Sequence, residues 1–518
     1  MPFLLPTECL TCIFAELETN KSSIYSCIRV SREWCIAATP FLWKNPFCLT
    51  SKDRSAPSTI KKNMPIDAYL PFLSESAKAR LRLNNVPTGL ESSILPIFNY
   101  ASYLRVLDMD EFYDEITKWI ANKRLAQATQ FDTTDNISYT ISQQAAPEDG
   151  FIDYLSDIDD DDDEIQKILI AQELLFLFSD SSPKLYRLSI DTRRLGKIWC
   201  DMVVGILSLE ISTSATNTHH PVPIPSCFSH IEQFEFKGEG DETDYEFEDM
   251  LVAISQFSPN VKILKIASCS QYLLQPLVDL IGSQQGINEL VLNNIRIVGT
   301  SIFEAIAHHK KTLTHAEFHR CTFIDCTPMT ALANCTRLEN LIFARSGVTG
   351  ELLAPLGSPS SSITRLSRLV LLDIYPSNGD SAEWINLAQQ VNAILRRTGK
   401  TIRELRTNVH LTYFLDFVDT IISECPNLVI IEMDIQNIAQ IPGIVTLLRS
   451  CKHLQTFRAS IDGYTHSNDS VADDLIHEFA QIILPPLRRL EVRKWKISKQ
   501  GLLFKCLISM KAPVRYVS

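Results

Sequence analysis

The sequence is poor in glycine and has no excess of basic residues. It contains 17 glycines and 25 prolines in 518 residues, which excludes a collagen-like or linker-dominated chain. Lysine and arginine number 49 against 61 acidic residues, a net charge of −12, which argues against nucleic-acid binding because a phosphate backbone requires a cationic surface. The hydrophobic content of 45% is that of a folded protein. The length allows roughly three or four ordinary domains or one long repeat array.

Long apolar runs are also missing. The apolar stretch 165–178 is interrupted by Lys167 and Glu173, so no segment reaches the roughly 18 apolar residues of a membrane span. Residues 1–6 have no basic region and Glu8 ends their apolar run, so we expect no signal peptide. The 14 cysteines are spread over a long chain, which predicts free thiols in a reducing intracellular compartment, the cytoplasm or the nucleus.

Signatures of enzymes and metal sites are absent. The sequence has no Gly-x-Ser-x-Gly elbow, no P-loop and no Gly-x-Gly-x-x-Gly motif. Cys9-x-x-Cys12 has no second pair at zinc-finger spacing, and His477-Glu478 is followed by Gln481 instead of a second histidine. We therefore expect no catalytic residues, no metal and no cofactor.

Residues 5–47 differ in pattern from the rest of the chain. Thr7 is a predicted helix N-cap, and Leu10, Ile13, Phe14 and Leu17 then follow the spacing of one buried helix face. A second short helix is predicted after the polar turn 20–23, followed by a cluster of aromatic residues. About forty residues rarely bury a core of their own. This segment must therefore be covered by the next domain, by another protein, or by both.

The motif Leu5-Pro-x-Glu-x-Leu-x-x-Ile-Phe-x-x-Leu17, with Ile24-x-x-Cys27-x-x-Val30-Ser31-Arg32-x-Trp34 after it, resembles an F-box. The resemblance implies a three-helix module that binds the Skp adaptor subunit of a cullin-RING ubiquitin ligase. It assigns this contact to Leu5, Pro6, Leu10, Ile13, Phe14, Leu17, Ile24, Cys27, Val30 and Trp34. A helical hairpin that merely caps the following domain is the alternative interpretation.

From about residue 100 to 495 the chain repeats the pattern apolar-x-x-apolar-x-apolar. The copies begin at Leu104, Leu185, Ile231, Val261, Ile287, Leu313, Leu338, Leu369, Ile402, Leu428, Leu454 and Leu487. Those at 261, 287, 313 and 338 are 26, 26 and 25 residues apart, within the period of about 20–29 residues of a leucine-rich repeat. A helical stretch separates successive copies. The expected fold class is α/β, a solenoid with parallel strands on its concave side and helices on its convex side.

Cysteines mark the phase of several repeats. Cys335, Cys425 and Cys451 each stand three residues before a first apolar position, whereas Cys269 and Cys321 follow a third one. This arrangement resembles the cysteine-containing leucine-rich repeat that follows an F-box in some proteins. The resemblance implies that these thiols are buried small hydrophobic groups.

The predicted organisation has four parts and one insertion. These are an F-box at 1–50, a helical linker or N-terminal cap at 51–99, the solenoid at 100–500 with a disordered acidic insertion at 127–164, and a C-terminal cap at 501–518. The disorder is expected because seven of the eight residues 157–164 are acidic and repel one another.

Strand alternation predicts the side chains of the concave surface. They are Glu289, Asn293, His315, Glu317, His319, Asp373, Tyr375, Glu404, Arg406, Glu432, Asp434, Arg458, Arg489 and Arg493, with basic residues toward the C-terminal end. Such a polar lining suits a protein substrate better than a membrane or nucleic acid. The sequence thus predicts a non-catalytic substrate adaptor of a Skp-cullin-F-box ligase. A repeat scaffold or small-GTPase regulator without a ligase role is the alternative.

Overall fold

A computed structural model describes residues 5–48, 65–87, 96–131, 160–181, 184–193, 199, 202–205, 228–240, 247–326, 329–375, 381–408, 414–435, 440–461, 487–493 and 514–517. The chain divides into two compact units, 1–236 with 256–260, and 237–255 with 261–518. Within the described ranges, no helix combines the length and the hydrophobicity that crossing a membrane requires. The predicted C-terminal cap falls mostly outside these ranges, as do residues 132–159 of the predicted acidic insertion.

Three helices form the N-terminal part of the first unit. They are α1 (Thr7–Glu16), α2 (Lys21–Cys27) and α3 (Arg32–Trp43). Thr7 is the first helical residue and not the predicted N-cap, because Pro6 occupies that position without a side-chain bond. The other two starts are capped: Asn20 accepts from the Ser23 N–H and Ser31 from the Trp34 N–H.

The rest of the first unit combines helices with short parallel strands. The helices are α4 (Pro65–Tyr69), α5 (Glu75–Leu83), α6 (Met109–Phe131) and α7 (Asp160–Ser181), and the strands are β1 (Val106–Asp108), β2 (Arg187–Asp191) and β3 (Gln233–Lys237). Strands β1 and β2 pair in parallel, with Leu107 opposite Leu188. Two helices of the predicted linker, α4 and α5, are therefore present in the segment 51–99.

Both ends of the predicted acidic insertion are helical and not disordered. Residues 127–131 belong to α6 and residues 160–164 begin α7, where the helix dipole favours carboxylates. Asp163 pairs with Arg124, and Glu164 accepts from the Trp199 indole at 3.1 Å and from Lys167 at 3.0 Å. Burial opposes the ionisation of Glu164, but these hydrogen bonds prevail and lower its pKa. Partners from other segments thus compensate the repulsion on which the expectation of disorder rested.

The second unit is built on one parallel sheet. Its strands are β4 (Ile263–Ala267), β5 (Glu289–Asn293), β7 (His315–His319), β9 (Asn340–Ala344), β10 (Arg368–Leu372), β11 (Glu404–Thr407), β12 (Ile430–Ile435), β13 (Thr456–Ile461), β14 (Arg489–Arg493) and β15 (Val514–Val517), neighbours in that order. The short strands β6 (Arg296–Val298) and β8 (Thr322–Ile324) form a second parallel sheet. The combination of N-terminal helices with a parallel sheet confirms the predicted α/β class.

A helix stands between most successive strands of this sheet. The described helices are α8 (Glu248–Phe257), α9 (Leu274–Ser283), α10 (Ser301–Ala307), α11 (Thr330–Ala333), α12 (Gly350–Gly357), α13 (Ser381–Thr398), α14 (Phe414–Glu424) and α15 (Ile441–Ser450). On one side of the sheet, rows of apolar side chains pair across strands, such as Leu290, Ala316 and Leu341. Cys269, Cys321, Cys335, Cys425 and Cys451 are all buried. Burial raises the pKa of the Cys335 and Cys425 thiols to about 12.

The predicted phase is wrong in one repeat. The register places Leu369 opposite Leu341 and Leu405, which makes Leu366 the first apolar position of its repeat. Residues 366–374 contain the apolar spacing of both frames, at 366, 369 and 371 and at 369, 372 and 374, so the pattern alone does not distinguish them. Asp373 and Tyr375 consequently lie beyond the end of β10 and not on the strand face. Asp373 itself adopts a left-handed conformation, with φ of 51°.

Candidate functional site

The three N-terminal helices enclose a small core. Leu10, Phe14 and Ile24 are buried at its centre, and the Phe14 ring lies 5.5 Å from Trp34 and 6.2 Å from Phe41. Leu17, Cys27 and Trp34 are partly buried against this core. The structure thus gives an internal packing role to Leu10, Phe14 and Ile24, three of the residues that the F-box resemblance assigned to partner contact.

A second group of apolar side chains in these helices is exposed. Of the predicted contact residues, Leu5, Ile13 and Val30 are 49%, 40% and 63% exposed, and Pro6 is also exposed. Tyr25 and Ile36, which the sequence analysis did not select, are exposed as well. Tyr25 directly follows the buried Ile24, and Ile36 directly precedes the buried Ala37. Apolar residues next to a buried helix position point away from the core, which is the sequence signal that would have identified both. We call Leu5, Ile13, Tyr25, Val30 and Ile36 the exposed apolar set.

The end of α3 fastens the helices to the segment that follows. Trp43 stacks on Tyr100 with ring centroids 4.1 Å apart and meets Tyr69 edge-on at 5.4 Å. The carbonyl of Lys44 accepts hydrogen bonds from the N–H groups of Arg105 and Val106, both at 3.0 Å. Part of the surplus aromatic surface is therefore covered by the chain itself, while the exposed apolar set is left uncovered by any described residue.

The polar face of the second unit's sheet begins with a histidine–glutamate cluster on β7. His315 and His319 both hold the Glu317 carboxylate through Nε2, the former at 2.9 Å. These hydrogen bonds lower the pKa of Glu317 far below its ordinary range. On the preceding strand Glu289 pairs with Lys265 at 3.1 Å, and Asn293 is exposed. The cluster is thus a hydrogen-bonded unit around one carboxylate.

Toward the C-terminal strands the polar face carries an ion-pair ladder. Glu404 pairs with Arg368 at 3.1 Å and Arg406 at 2.6 Å, and Arg406 also approaches Glu432 at 3.7 Å. Arg458 then bridges Glu432 at 3.4 Å and Glu491 at 2.7 Å, and Arg489 also pairs with Glu491. The predicted basic character of this end is corrected, because Arg458 and Arg489 share the nearly buried Glu491.

Several predicted surface residues have other positions or surroundings. Asp373 and Arg345 form an exposed pair at 3.5 Å outside the strand face, and Tyr375 is 48% exposed. Asp434 lies on β12 and Arg493 on β14. Four further residues lie on this face that the sequence pattern did not indicate: Arg368, Glu491 and the buried Ile342 and Val370. Ile342 is opposite Glu317 in the register, which would have identified its face.

The part of the chain that the structure describes contains no cluster of three or more His, Cys, Asp or Glu side chains suited to a metal ion. Cys9 and Cys12, which form the Cys-x-x-Cys pair of the sequence, are both free thiols exposed on α1. The features that stand out are therefore two surfaces, the exposed apolar set and the polar face of the sheet.

Comparison with known proteins bears on the first of these surfaces. No curated protein matches the chain with significant similarity. The family model described as F-box-like matches residues 3–49, the segment that contains α1, α2 and α3. The chain therefore carries an F-box-like domain at its three N-terminal helices.

Proposed function

We propose that this protein is a non-catalytic substrate adaptor of a Skp-cullin-F-box ubiquitin ligase. The F-box-like domain binds a Skp-type adaptor, and the second unit acts as a leucine-rich-repeat solenoid that holds a protein substrate. The observation that carries the proposal is the exposed apolar set within the segment that matches the F-box-like family. The proposed role needs no active site in this chain, because the ubiquitin-charged enzyme belongs to the rest of the ligase.

The first helix offers the clearest contact surface. Cys9 and Ile13 are four residues apart, which aligns them along one side of α1, and both are exposed, as is Leu5 just before the helix. An exposed apolar stripe on a helix is what a hydrophobic groove of a partner recognises. Because Leu10 and Phe14 fill the internal core, the partner contact is expected to rest on the exposed residues alone.

The repeat region supports the second half of the proposal. One strand recurs about every 26 residues in β4, β5 and β7, as in a leucine-rich repeat. Its polar face carries charges that are already fixed by ion pairs, so little side-chain ordering is required when a protein partner binds. Holding a substrate lysine near the ubiquitin thioester raises its effective concentration, which is the catalytic contribution of an adaptor. A reducing intracellular compartment is the proposed location.

Co-elution with a recombinant Skp subunit in size-exclusion chromatography tests the proposal. The wild-type chain is expected to form a one-to-one complex, and Ile13→Asp together with Val30→Asp is expected to abolish it. Leu83→Asp is the matched control, because Leu83 is an apolar residue that is 83% exposed outside the F-box-like domain. Circular dichroism establishes that each variant is folded.

Two results would contradict this function. A folded wild-type chain that never co-elutes with the Skp subunit would favour the scaffold alternative. Equal loss of binding in the Leu83→Asp variant would mean that the exposed apolar set is not the contact surface.

A further inference from the structure

The edge of the second unit's sheet at which the strands begin is lined with cations. Exposed basic residues stand one to four positions before β9, β10, β11, β13 and β14. They are Arg337, Arg365, Lys400, Arg403, Lys452 and Arg488. We call this set the cationic edge. Neighbouring strands of a sheet lie about 4.8 Å apart. These side chains therefore follow one another along the same edge, at offsets of one to four residues from the strand starts and with a gap at β12.

These cations differ from the arginines of the polar face. Arg368, Arg406, Arg458 and Arg489 all have carboxylate partners within the sheet. No residue of the cationic edge forms a salt bridge with any residue that the structure describes. Their charge is consequently available to a ligand.

Helix dipoles explain only some of the row. Lys400 follows the C-terminus of α13 and Lys452 that of α15, where a cation is favoured without any ligand. Arg365 is eight residues beyond α12, and Arg403 is five residues beyond α13, so the dipole effect has ended at both.

A cavity of about 480 Å³ joins the two arginines. Arg365, Lys400 and Arg403 line it together with one carboxylate, Glu339, and neutral polar side chains. The neutral groups are bound to backbone: Thr401 Oγ1 donates to the Leu366 carbonyl at 2.7 Å, and Asn427 Nδ2 donates to the Lys400 carbonyl at 2.8 Å. The neutral walls are therefore fixed, and the charged side chains that remain are three cations against one carboxylate, so the cavity is positive overall.

We propose that the cationic edge binds an acidic peptide segment of a protein partner, with a carboxylate of that segment held in this cavity by Arg365 and Arg403. Guanidinium groups suit carboxylates because they form two parallel hydrogen bonds. A long nucleic acid fits less well, because the whole chain has a net charge of −12 and an isoelectric point near 5.5. Calling the partner a ligase substrate rests on the proposed function, whereas the binding itself does not.

Fluorescence anisotropy of the full chain with a labelled peptide of alternating glutamate and glycine tests the inference. The Arg365→Gln/Arg403→Gln variant is expected to bind this probe about tenfold more weakly than wild type. Arg296→Gln/Arg320→Gln is the matched control, since it removes the same charge from two exposed arginines elsewhere in the second unit. It should change the affinity by less than about twofold. Arg365→Lys/Arg403→Lys is expected to restore part of the binding.

Three outcomes would overturn the inference. The first is that the wild-type chain does not bind the acidic probe, and the second is that both double variants weaken binding of the probe equally. The third is that a labelled oligothymidylate binds as tightly as the acidic probe and also depends on Arg365 and Arg403, which would assign the edge to nucleic acid. A glutamine–glycine peptide serves as the uncharged probe and should not bind. The assay contains no Skp subunit, so its failure is distinct from a failure of the proposed ligase role.

Discussion

The F-box-like helices and the repeat sheet expose opposite kinds of side chains. The helices leave Leu5, Ile13 and Val30 in solvent, whereas one side of the sheet carries ion pairs between partly buried side chains and the other side carries apolar rows. Strand alternation gives every repeat an inward apolar set and an outward set free to be polar, and each repeat buries its apolar side against its neighbours. A segment of three short helices encloses one small core and has apolar residues left over. Exposed apolar surface is therefore the stronger sign of a partner in the first region than in the second.

The cysteines provide the largest measurable contrast between the two regions. Cys9 and Cys12 are exposed, while burial raises the pKa of Cys335 and Cys425 to about 12. At pH 8 a thiol with such a pKa is ionised in only about one molecule in ten thousand, and the thiolate is the reactive form. Maleimide is therefore expected to label the α1 peptide at least about a thousandfold faster than the repeat peptides.

Peptide mapping by mass spectrometry separates these sites, with urea-unfolded protein as the control in which all cysteines should react. Rapid labelling of Cys335 or Cys425 in the folded chain would contradict the packing of the repeats. Adding the Skp subunit should slow the labelling of Cys9, because this residue lies one helical turn before Ile13 on the exposed side of α1.

The neighbours Phe14 and Ile13 test the division of the helices into core and surface. Phe14 is fully buried and Ile13 is 40% exposed. Phe14→Ala is expected to lower the free energy of opening of α1, α2 and α3 by about 3–5 kcal/mol, and Ile13→Ala by less than about 1 kcal/mol. Hydrogen exchange measured by mass spectrometry over peptides from 7 to 43 reports this local stability. A similar loss of protection in both variants would show that Ile13 also belongs to the core of the three helices.

The spacing of apolar residues predicted those parts of the fold in which burial depends on residues close in sequence. The strands at Glu289 and His315 follow from spacing alone, but for α1 the spacing wrongly placed the exposed Ile13 on the buried face with Leu10 and Phe14. The frame at Leu366 did not follow from spacing either, because the apolar positions between 366 and 374 satisfy two registers and only pairing with β9 and β11 selects one.

Contacts distant in sequence account for the remaining differences. Glu164 is helical because of Trp199 and Tyr113, neither of which is near it in sequence. The loss of the predicted basic end depends on Glu491, an acid on β14 that pairs with Arg489 of its own strand and with Arg458 of β13, and Arg458 also pairs with Glu432 of β12. Likewise, only the folded core shows that Phe14 points inward while Ile13, its neighbour in the same motif, does not.

The polar face offers the smallest effect, a pH dependence at Glu317. Hydrogen bonds from His315 and then His319 hold the pKa of this carboxyl far below its ordinary value of 4.5. A group with a lowered folded pKa stabilises the protein above its unfolded pKa, and this contribution is lost as the pH falls. Wild type should therefore exceed Glu317→Gln in stability by about 1 kcal/mol at neutral pH, and the difference should shrink below pH 4.5. Hydrogen exchange of peptides that cover β7 measures this stability difference, provided that the two proteins are compared at matched intrinsic exchange rates at each pH. The stability difference between wild type and Glu317→Gln could instead stay the same from neutral pH down to the lowest pH at which the chain is folded. That result would mean that the two histidines do not stabilise the Glu317 carboxylate, and the polar face would then be less preorganised than its ion pairs indicate.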